Sequence, residues 1–241
     1  MSNRIDRVVI TGAGSGIGLD LARRFLAEGS QVVINGRDRD KLERARRSLG
    51  EERVVAVAGD VGDPATAHAV ATAARERLGG VDVLVNNAGV FGVKPFLEST
   101  VADLERFFTT NVKGTYLMTQ AVVPLMIAGG GGSIINVGAA LVQQAMTGVP
   151  VSAAMASKGG VHALTVSLAA ELARHHICVN TLAPGIIRTP LVDDADSLAG
   201  IHPLGRVGEV DDTSDAALFL ARAAFVTGTT LDVDGGYSHG R

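Results

Sequence analysis

The chain has 241 residues, with 22 Lys plus Arg against 25 Asp plus Glu and a formal net charge of −3. That near balance, without any block of Lys or Arg, argues against nucleic acid or an anionic membrane as the main partner, and no apolar run reaches the ~18 residues that would span a bilayer. A single cysteine, Cys178, permits no internal disulfide and no thiolate metal cluster, and MSNRIDRVVI at the start lacks the apolar core and cleavage site of a signal peptide, so a cytoplasmic protein is expected. The 30 glycines follow no G-X-Y period; so many indicate tight turns and a main chain that comes close to a ligand.

In chain order, short β-branched runs alternate with longer stretches of helical period. The runs are RVVIT (7–11), QVVIN (31–35), RVVAVAG (53–59), DVLVNNAG (82–89), SIINV (133–137), ICVNTLAPG (177–185) and TTLDVDGG (229–236). Apolar at nearly every position, they suit parallel strands buried on both faces, and the intervening segments, such as 103–126 and 153–175, suit covering helices. The pattern predicts an α/β fold of Rossmann type: one doubly wound domain over residues 1–241, with a seven-stranded parallel sheet and helices on both faces.

Directly after the first run stands Thr11-Gly12-Ala13-Gly14-Ser15-Gly16-Ile17-Gly18, followed by a helix-forming segment. Glycines there let the backbone turn sharply and approach a pyrophosphate, whose charge is met by amides at the helix N-terminus. The spacing is G-x-x-x-G-x-G, not the G-x-G-x-x-G of the usual dinucleotide fingerprint.

Together with Asn86-Asn87-Ala88-Gly89 after the fourth run and Pro184-Gly185-Ile186-Ile187-Arg188-Thr189-Pro190 after the sixth, that loop resembles the short-chain dehydrogenase/reductase superfamily. The likeness extends over essentially the whole chain, to PLGRVGEV (203–210) and VTGTTLDVDGG (226–236). It implies a nicotinamide cofactor held by Gly12, Ser15, Gly16, Ile17, Gly18, Asn87, Ala88, Gly89, Lys158, Pro184, Gly185, Ile187 and Thr189, with Asp60 and Val61 bracketing the adenine ring. At the end of the second strand, where NAD-binding proteins usually place a carboxylate, this chain has Gly36 followed by Arg37. A guanidinium there suits the 2′-phosphate of NADP, so NADP(H) is expected over NAD(H). Asp38 suits the cap of the next helix.

The resemblance also implies a reaction centre of four side chains: a serine that holds the substrate oxygen, a tyrosine that gives the proton, a lysine four residues later, and an asparagine linking that lysine to solvent through water. Lys158 in Ala156-Ser157-Lys158-Gly159-Gly160 matches the lysine, and Asn111 in Thr110-Asn111-Val112-Lys113-Gly114 matches the asparagine. The tyrosine's place is held by Ala154 and the serine's by Ala139, neither of which can donate a hydrogen bond. No replacement acid is evident. His162, eight residues from Ala154, lies about 12 Å along a helix axis and suits a packed or interface role, as Ser157 suits a structural one. Tyr116 is expected in the core. Gln143 and Gln144 can hydrogen-bond a substrate carbonyl but are poor acids; Ala139, Gln144 and Ala154 are the expected substrate contacts.

Three readings follow: an NADP-dependent oxidoreductase with altered proton handling, acting on a small carbonyl, imine or related acceptor; a catalytically impaired cofactor-binding pseudoenzyme; or an ordinary reductase inactivated by engineering the two alanines into it. Residues 141–155, LVQQAMTGVPVSAAM, diverge from the family pattern well beyond the two alanines, which favours a naturally altered site. The variable lid of the family corresponds to Leu191–Gly200, whose Asp193, Asp194 and Asp196 suit either a cationic amine or a solvated loop. Cys178 is expected to be buried and inert. The two long helices suggest a homotetramer, by resemblance and by the commonness of closed symmetry. The expected partner is a small-molecule substrate, with no metal.

Overall fold

The computed structural model describes residues 5–190, 192 and 194–239. Its sheet has seven strands in the order β3-β2-β1-β4-β5-β6-β7, all paired in parallel. The strands are β1 (Arg7–Ile10), β2 (Gln31–Gly36), β3 (Val54–Ala58), β4 (Val83–Asn86), β5 (Gly132–Val137), β6 (Ile177–Pro184) and β7 (Thr230–Val233). The helices are α1 (Gly16–Ala27), α2 (Arg39–Leu49), α3 (Pro64–Ala73), α4 (Val101–Phe107), α5 (Gly114–Ala128), α6 (Ser152–Leu172) and α7 (Val210–Arg222).

Continuous apolar runs make sense because successive side chains leave a strand on opposite faces. Val8 and Ile10 of β1 join Leu21 and Phe25 of α1 in one core, while Val9 joins Met118, Val122 and Met126 of α5 in the other. Sequence order reverses between β1 and β4, the two strands that open a crevice at their C-terminal ends.

Two predicted helices differ in detail. The stretch expected as one helix over 103–126 is α4 and α5 joined by a π-helical segment, Phe108–Lys113. Its wider turns place Asn111 inward, and Thr115 Oγ1 donates to the Asn111 carbonyl at 2.7 Å; such bulges are frequent at functional sites. The second long helix, α6, passes into a 3₁₀ turn, Ala173–His175, and ends where His176 adopts a left-handed φ of 58°.

A buried chain of side-chain hydrogen bonds ties α5 and α6 to the sheet. Asn86 Nδ2 donates to Thr119 Oγ1 at 3.0 Å and Asn136 Oδ1 at 2.9 Å, and Asn136 Nδ2 donates to Thr165 Oγ1 at 2.9 Å. Thr181 Oγ1 donates to Thr165 Oγ1 at 2.8 Å, and Thr165 Oγ1 donates to the Val161 carbonyl at 2.9 Å. Buried networks of this kind restrict the orientation of a helix on the sheet, although Asn86 Oδ1 has no partner in it, and α6 carries Lys158.

Candidate active site

The turn after β1 is stitched to the turn after β4. Thr11 Oγ1 accepts from the amides of Asn87 at 3.1 Å and Ala88 at 3.0 Å, and Asn87 Nδ2 donates to the carbonyls of Thr11 at 2.9 Å and Gly12 at 3.2 Å. Gly12 has a φ of +66°, and a Cβ on it would lie 2.8 Å from Ala88 Cα; one on Gly18 would lie 2.5 Å from Asn87 Nδ2. Only glycine fits where the chain is this close. Ser15, the N-cap of α1, makes no side-chain cap, and the first turn holds no acidic residue. The amides of Gly16, Ile17 and Gly18 thus form the positive end of a helix with no side-chain cap at a cleft lined by Gly12, Ser15, Gly16 and Ile17, which fits a phosphate group.

At the neighbouring strand ends, Asp38 caps α2 by accepting from Lys41 N at 2.9 Å. Arg37 is exposed, with Nη1 4.0 Å from Asp60 Oδ2. Lys41 was not foreseen here: a Cβ placed on Gly14 would lie 3.5 Å from its Cγ, so its stem lies against the glycine loop. Its signal in sequence was only helical phase, one turn after Arg37. Asp60 Oδ1 accepts from Gly62 N at 2.8 Å, while Val61 is buried, leaving its main chain as the part that can face a ligand.

The same cleft, about 570 Å³ in all, extends past the glycine loop to Asn87, Ala88, Gly89, Ala139, Lys158, Pro184, Gly185, Ile187 and Thr189. Lys158 Nζ donates to the Val137 carbonyl at 2.7 Å. A Cβ on Gly89 would meet that Nζ at 3.0 Å and Asn111 Oδ1 at 3.3 Å, so the three residues converge. Lys158 is half-buried on the cleft wall, and burial lowers the pKa of its ammonium to about 8. The Asn111 side chain is fully engaged within the protein. Asn111 Oδ1 accepts from Val90 N at 2.8 Å, and Nδ2 donates to Val90 O at 3.0 Å and Ser157 Oγ at 2.8 Å. Its amide clamps the loop after β4 onto α6 and positions the strand end beside Lys158. Ser157 Oγ in turn donates to the Ala154 carbonyl at 2.7 Å.

The two alanines part company. Ala139 lines the large cavity. Ala154, at 1% exposure, instead borders an adjoining cavity of about 80 Å³ with Gly92, Val93, Phe107 and Pro150. Val93 borders both cavities, and Lys94 N donating to the Pro150 carbonyl at 2.8 Å holds that loop across. Neither Gln143 nor Gln144 lines the large cavity. The Gln143 amide donates to Asp232, and the Gln144 carbonyl accepts from Tyr237 at 2.9 Å.

Tyr237 and His202 do line it, and sequence reading missed both. One follows VDGG directly and the other precedes PLGR, so the motif edges were the available signal. Tyr116 corrects an expectation: it is 49% exposed, because the buried stripe of α5 runs through Thr115, Met118, Thr119, Val122 and Met126 and leaves it on the next face. Cys178 is only half-buried, at the start of β6; burial nevertheless raises its thiol pKa, which keeps it protonated and unreactive. His162 is half-buried, with Nε2 unpartnered and directed at Gly138. Burial, then the charge of Lys158, lowers its pKa, so it stays neutral. Of the lid residues, Leu191 and Asp193 lie outside the described residues. Asp196 pairs with Arg188 at 2.5 Å, so its carboxylate is already matched to a cation.

Comparison with known proteins agrees with this geometry. A family model described as short chain dehydrogenase matches residues 6–198. The chain is 38% identical to galactitol 2-dehydrogenase (L-tagatose-forming) of Cereibacter sphaeroides, over 95% of this chain and 93% of that protein. The structure of 3-ketoacyl-(acyl-carrier-protein) reductase from Brucella melitensis, complexed with NADH, superposes with a TM-score of 0.92 at 36% identity, covering 97% of this chain and 98% of that one. L-sorbose reductase from Gluconobacter frateurii, complexed with NADPH and L-sorbose, gives a TM-score of 0.92 at 32% identity, covering 99% of each chain. Glycine turn, stitched strand ends and lysine-bearing helix therefore sit in a chain that belongs to the short-chain dehydrogenase family of oxidoreductases.

Proposed function

We propose that this chain is an NADP(H)-dependent oxidoreductase that moves hydride to or from a small carbonyl, imine or related acceptor without the phenol and hydroxyl of its family. The observation that carries this reading is the convergence of Gly89, Asn111 and Lys158 at one end of the cleft whose other end is the uncapped turn of α1. A bound nicotinamide supplies or accepts the hydride. Gly12, Ser15, Gly16, Ile17 and Gly18 cradle its pyrophosphate through main-chain amides, while Asn87 and Thr11 keep that turn closed. Arg37 and Lys41 flank the adenosine end as two cations for a 2′-phosphate. Lys158 holds the ribose hydroxyls. Its ammonium, near 8, releases a proton towards water at the substrate oxygen and regains one from solvent, which completes reduction: hydride to carbon, proton to oxygen. Ala139 and Ala154 leave room in place of a side-chain acid.

Two further readings belong here. Residues 1–241 form one dinucleotide-binding domain, and the chain assembles as a homotetramer, a reading supported by the exposed Leu104, Phe108, Tyr116 and Val166 on the helices expected to pair. No helix among the described residues is long and apolar enough to cross a membrane; with one cysteine, a cytoplasmic location suits the chain.

The test is NADPH oxidation against ketones, imines and enones, run beside calorimetry of NADPH and NADH. Turnover with tighter NADPH binding supports the proposal. Tight NADPH binding without turnover replaces it with the binding-only reading, and uptake of neither nucleotide ends it.

A further inference from the structure

We infer that the cleft takes a compact apolar substrate presenting one polar group, the one that reacts, and discriminates against polyhydroxylated molecules; this rests on the oxidoreductase reading above. Among the described residues, the side chains with polar atoms on the wall of the 570 Å³ cavity are Ser15, Asn87, Lys158, Thr189, His202 and Tyr237. The first four lie in the segments assigned to the dinucleotide. That leaves His202 and Tyr237 for everything else a substrate might present.

Both have their donors committed to the protein, and Tyr237 keeps only the acceptor side of its hydroxyl. The Tyr237 hydroxyl donates to the Gln144 carbonyl at 2.9 Å. His202 is 3% exposed; its Nδ1 lies 2.5 Å from the Asp234 carbonyl and its Nε2 3.3 Å from Ile186 N. A carbonyl can only accept and an amide can only donate. The ring is therefore neutral, with the proton on Nδ1 and the lone pair of Nε2 turned to Ile186. Neither nitrogen is left over for a ligand. The remaining side chains of the wall are apolar, among them Phe91, Val93, Met146, Val149, Leu198 and Ile201, together with small residues of the β5 turn such as Ala139.

A hydroxyl-rich ligand in such a cavity exchanges hydrogen bonds with water for contact with methyl, thioether and phenyl groups, and each unmatched hydroxyl is a loss. An apolar ligand gains by leaving water, and methionine adapts its shape to varied apolar outlines. Ala139 and the Val93 partition, in place of hydrogen-bonding side chains, extend this apolar character to the place where the reacting group must sit.

Calorimetry decides this with two neutral carbonyl probes, 4-phenyl-2-butanone and D-fructose, each titrated into protein saturated with NADPH and into nucleotide-free protein. The phenyl ketone is expected to bind at least 100-fold more tightly than the sugar, and Met146→Asp to weaken it at least tenfold while NADPH affinity holds. Equal or tighter binding of fructose overturns the inference, as does failure of the phenyl ketone to bind protein that has taken up NADPH. Absence of any NADPH heat sinks the oxidoreductase reading instead. In that case the ranking of the two probes on nucleotide-free protein still decides the polarity of the cavity.

Discussion

The chain leaves the sheet beside the same cleft after β1 and again after β5, under opposite constraints. After β1 the turn is tightly constrained by its neighbours: Gly12 and Gly18 have no room for a Cβ, and Thr11 and Asn87 lock the turn to β4. After β5, Ala139 faces a cavity and Ala154 borders a smaller one, so space is left over. In the proposed function the first region holds its ligand with main-chain amides, which side-chain truncation does not remove. The second would act through side chains, and the two alanines at 139 and 154 supply none that can donate a proton. On the proposed function, binding and proton transfer are separable.

The sharpest way to probe that separation is to refill the second region. Ala154→Tyr combined with Ala139→Ser should raise the rate of carbonyl reduction by about 10²–10⁴-fold, the usual worth of a general acid, measured as steady-state NADPH oxidation. No gain would mean that the Val93 loop, pinned by Lys94 N to the Pro150 carbonyl, keeps the ring from the substrate. Crowding the first region should do the reverse. Gly12→Ala forces a left-handed φ and a 2.8 Å contact with Ala88 Cα, costing about 1–2 kcal/mol for the conformation and about 1–3 kcal/mol for overpacking. A lowered Tm and at least a tenfold weaker nucleotide affinity are expected.

Charge at the adenosine end gives a narrower effect. Removing Arg37 and Lys41 together should raise the Kd for NADPH by ~10–100-fold, in line with ~1.5–3 kcal/mol for a hydrogen bond to a charged group, and leave NADH binding nearly as it was. An equal loss for both nucleotides would place the two cations outside the 2′-phosphate site.

The smallest effect is a pH dependence. The folded pKa of Lys158 is lowered to about 8 from 10.5 by burial, so the ammonium that donates the proton is lost as pH rises through about 8. The reductive kcat/KM should fall there, and Lys158→Met should flatten that limb along with a large loss of rate. The linkage to stability has the opposite sign. Between about pH 8 and 10.5 the unfolded chain binds more protons at this lysine than the folded one, so its contribution to stability rises with pH over that window.

Much of this could be read from residue order alone. Seven apolar runs, the glycine turn and the Asp38 cap depend on local rules: alternation across a strand, glycine where φ is positive, a carboxylate before a helix. These act over a few residues, so the strands and helices stood close to where they were expected. The π-helical turn around Asn111 was not legible, because it depends on Val90 and Ser157 accepting and donating from elements far apart in sequence. Tyr116 went wrong for a similar reason: spacing shows that a helix has a buried stripe but not which aromatic lies beside it.

The residues themselves determined the architecture, the glycine turn and the presence of alanine at 139 and 154. Tertiary structure alone decided that Lys41 lies along the glycine loop, that Asn111 is a clamp, and that Ala139 and Ala154 face different cavities. It also brought His202 and Tyr237 to the wall of the cleft and matched their polar atoms internally. The physical reason is range: backbone preference is fixed by immediate neighbours, whereas a side chain's partner and the space around it exist only once strands distant in sequence lie side by side.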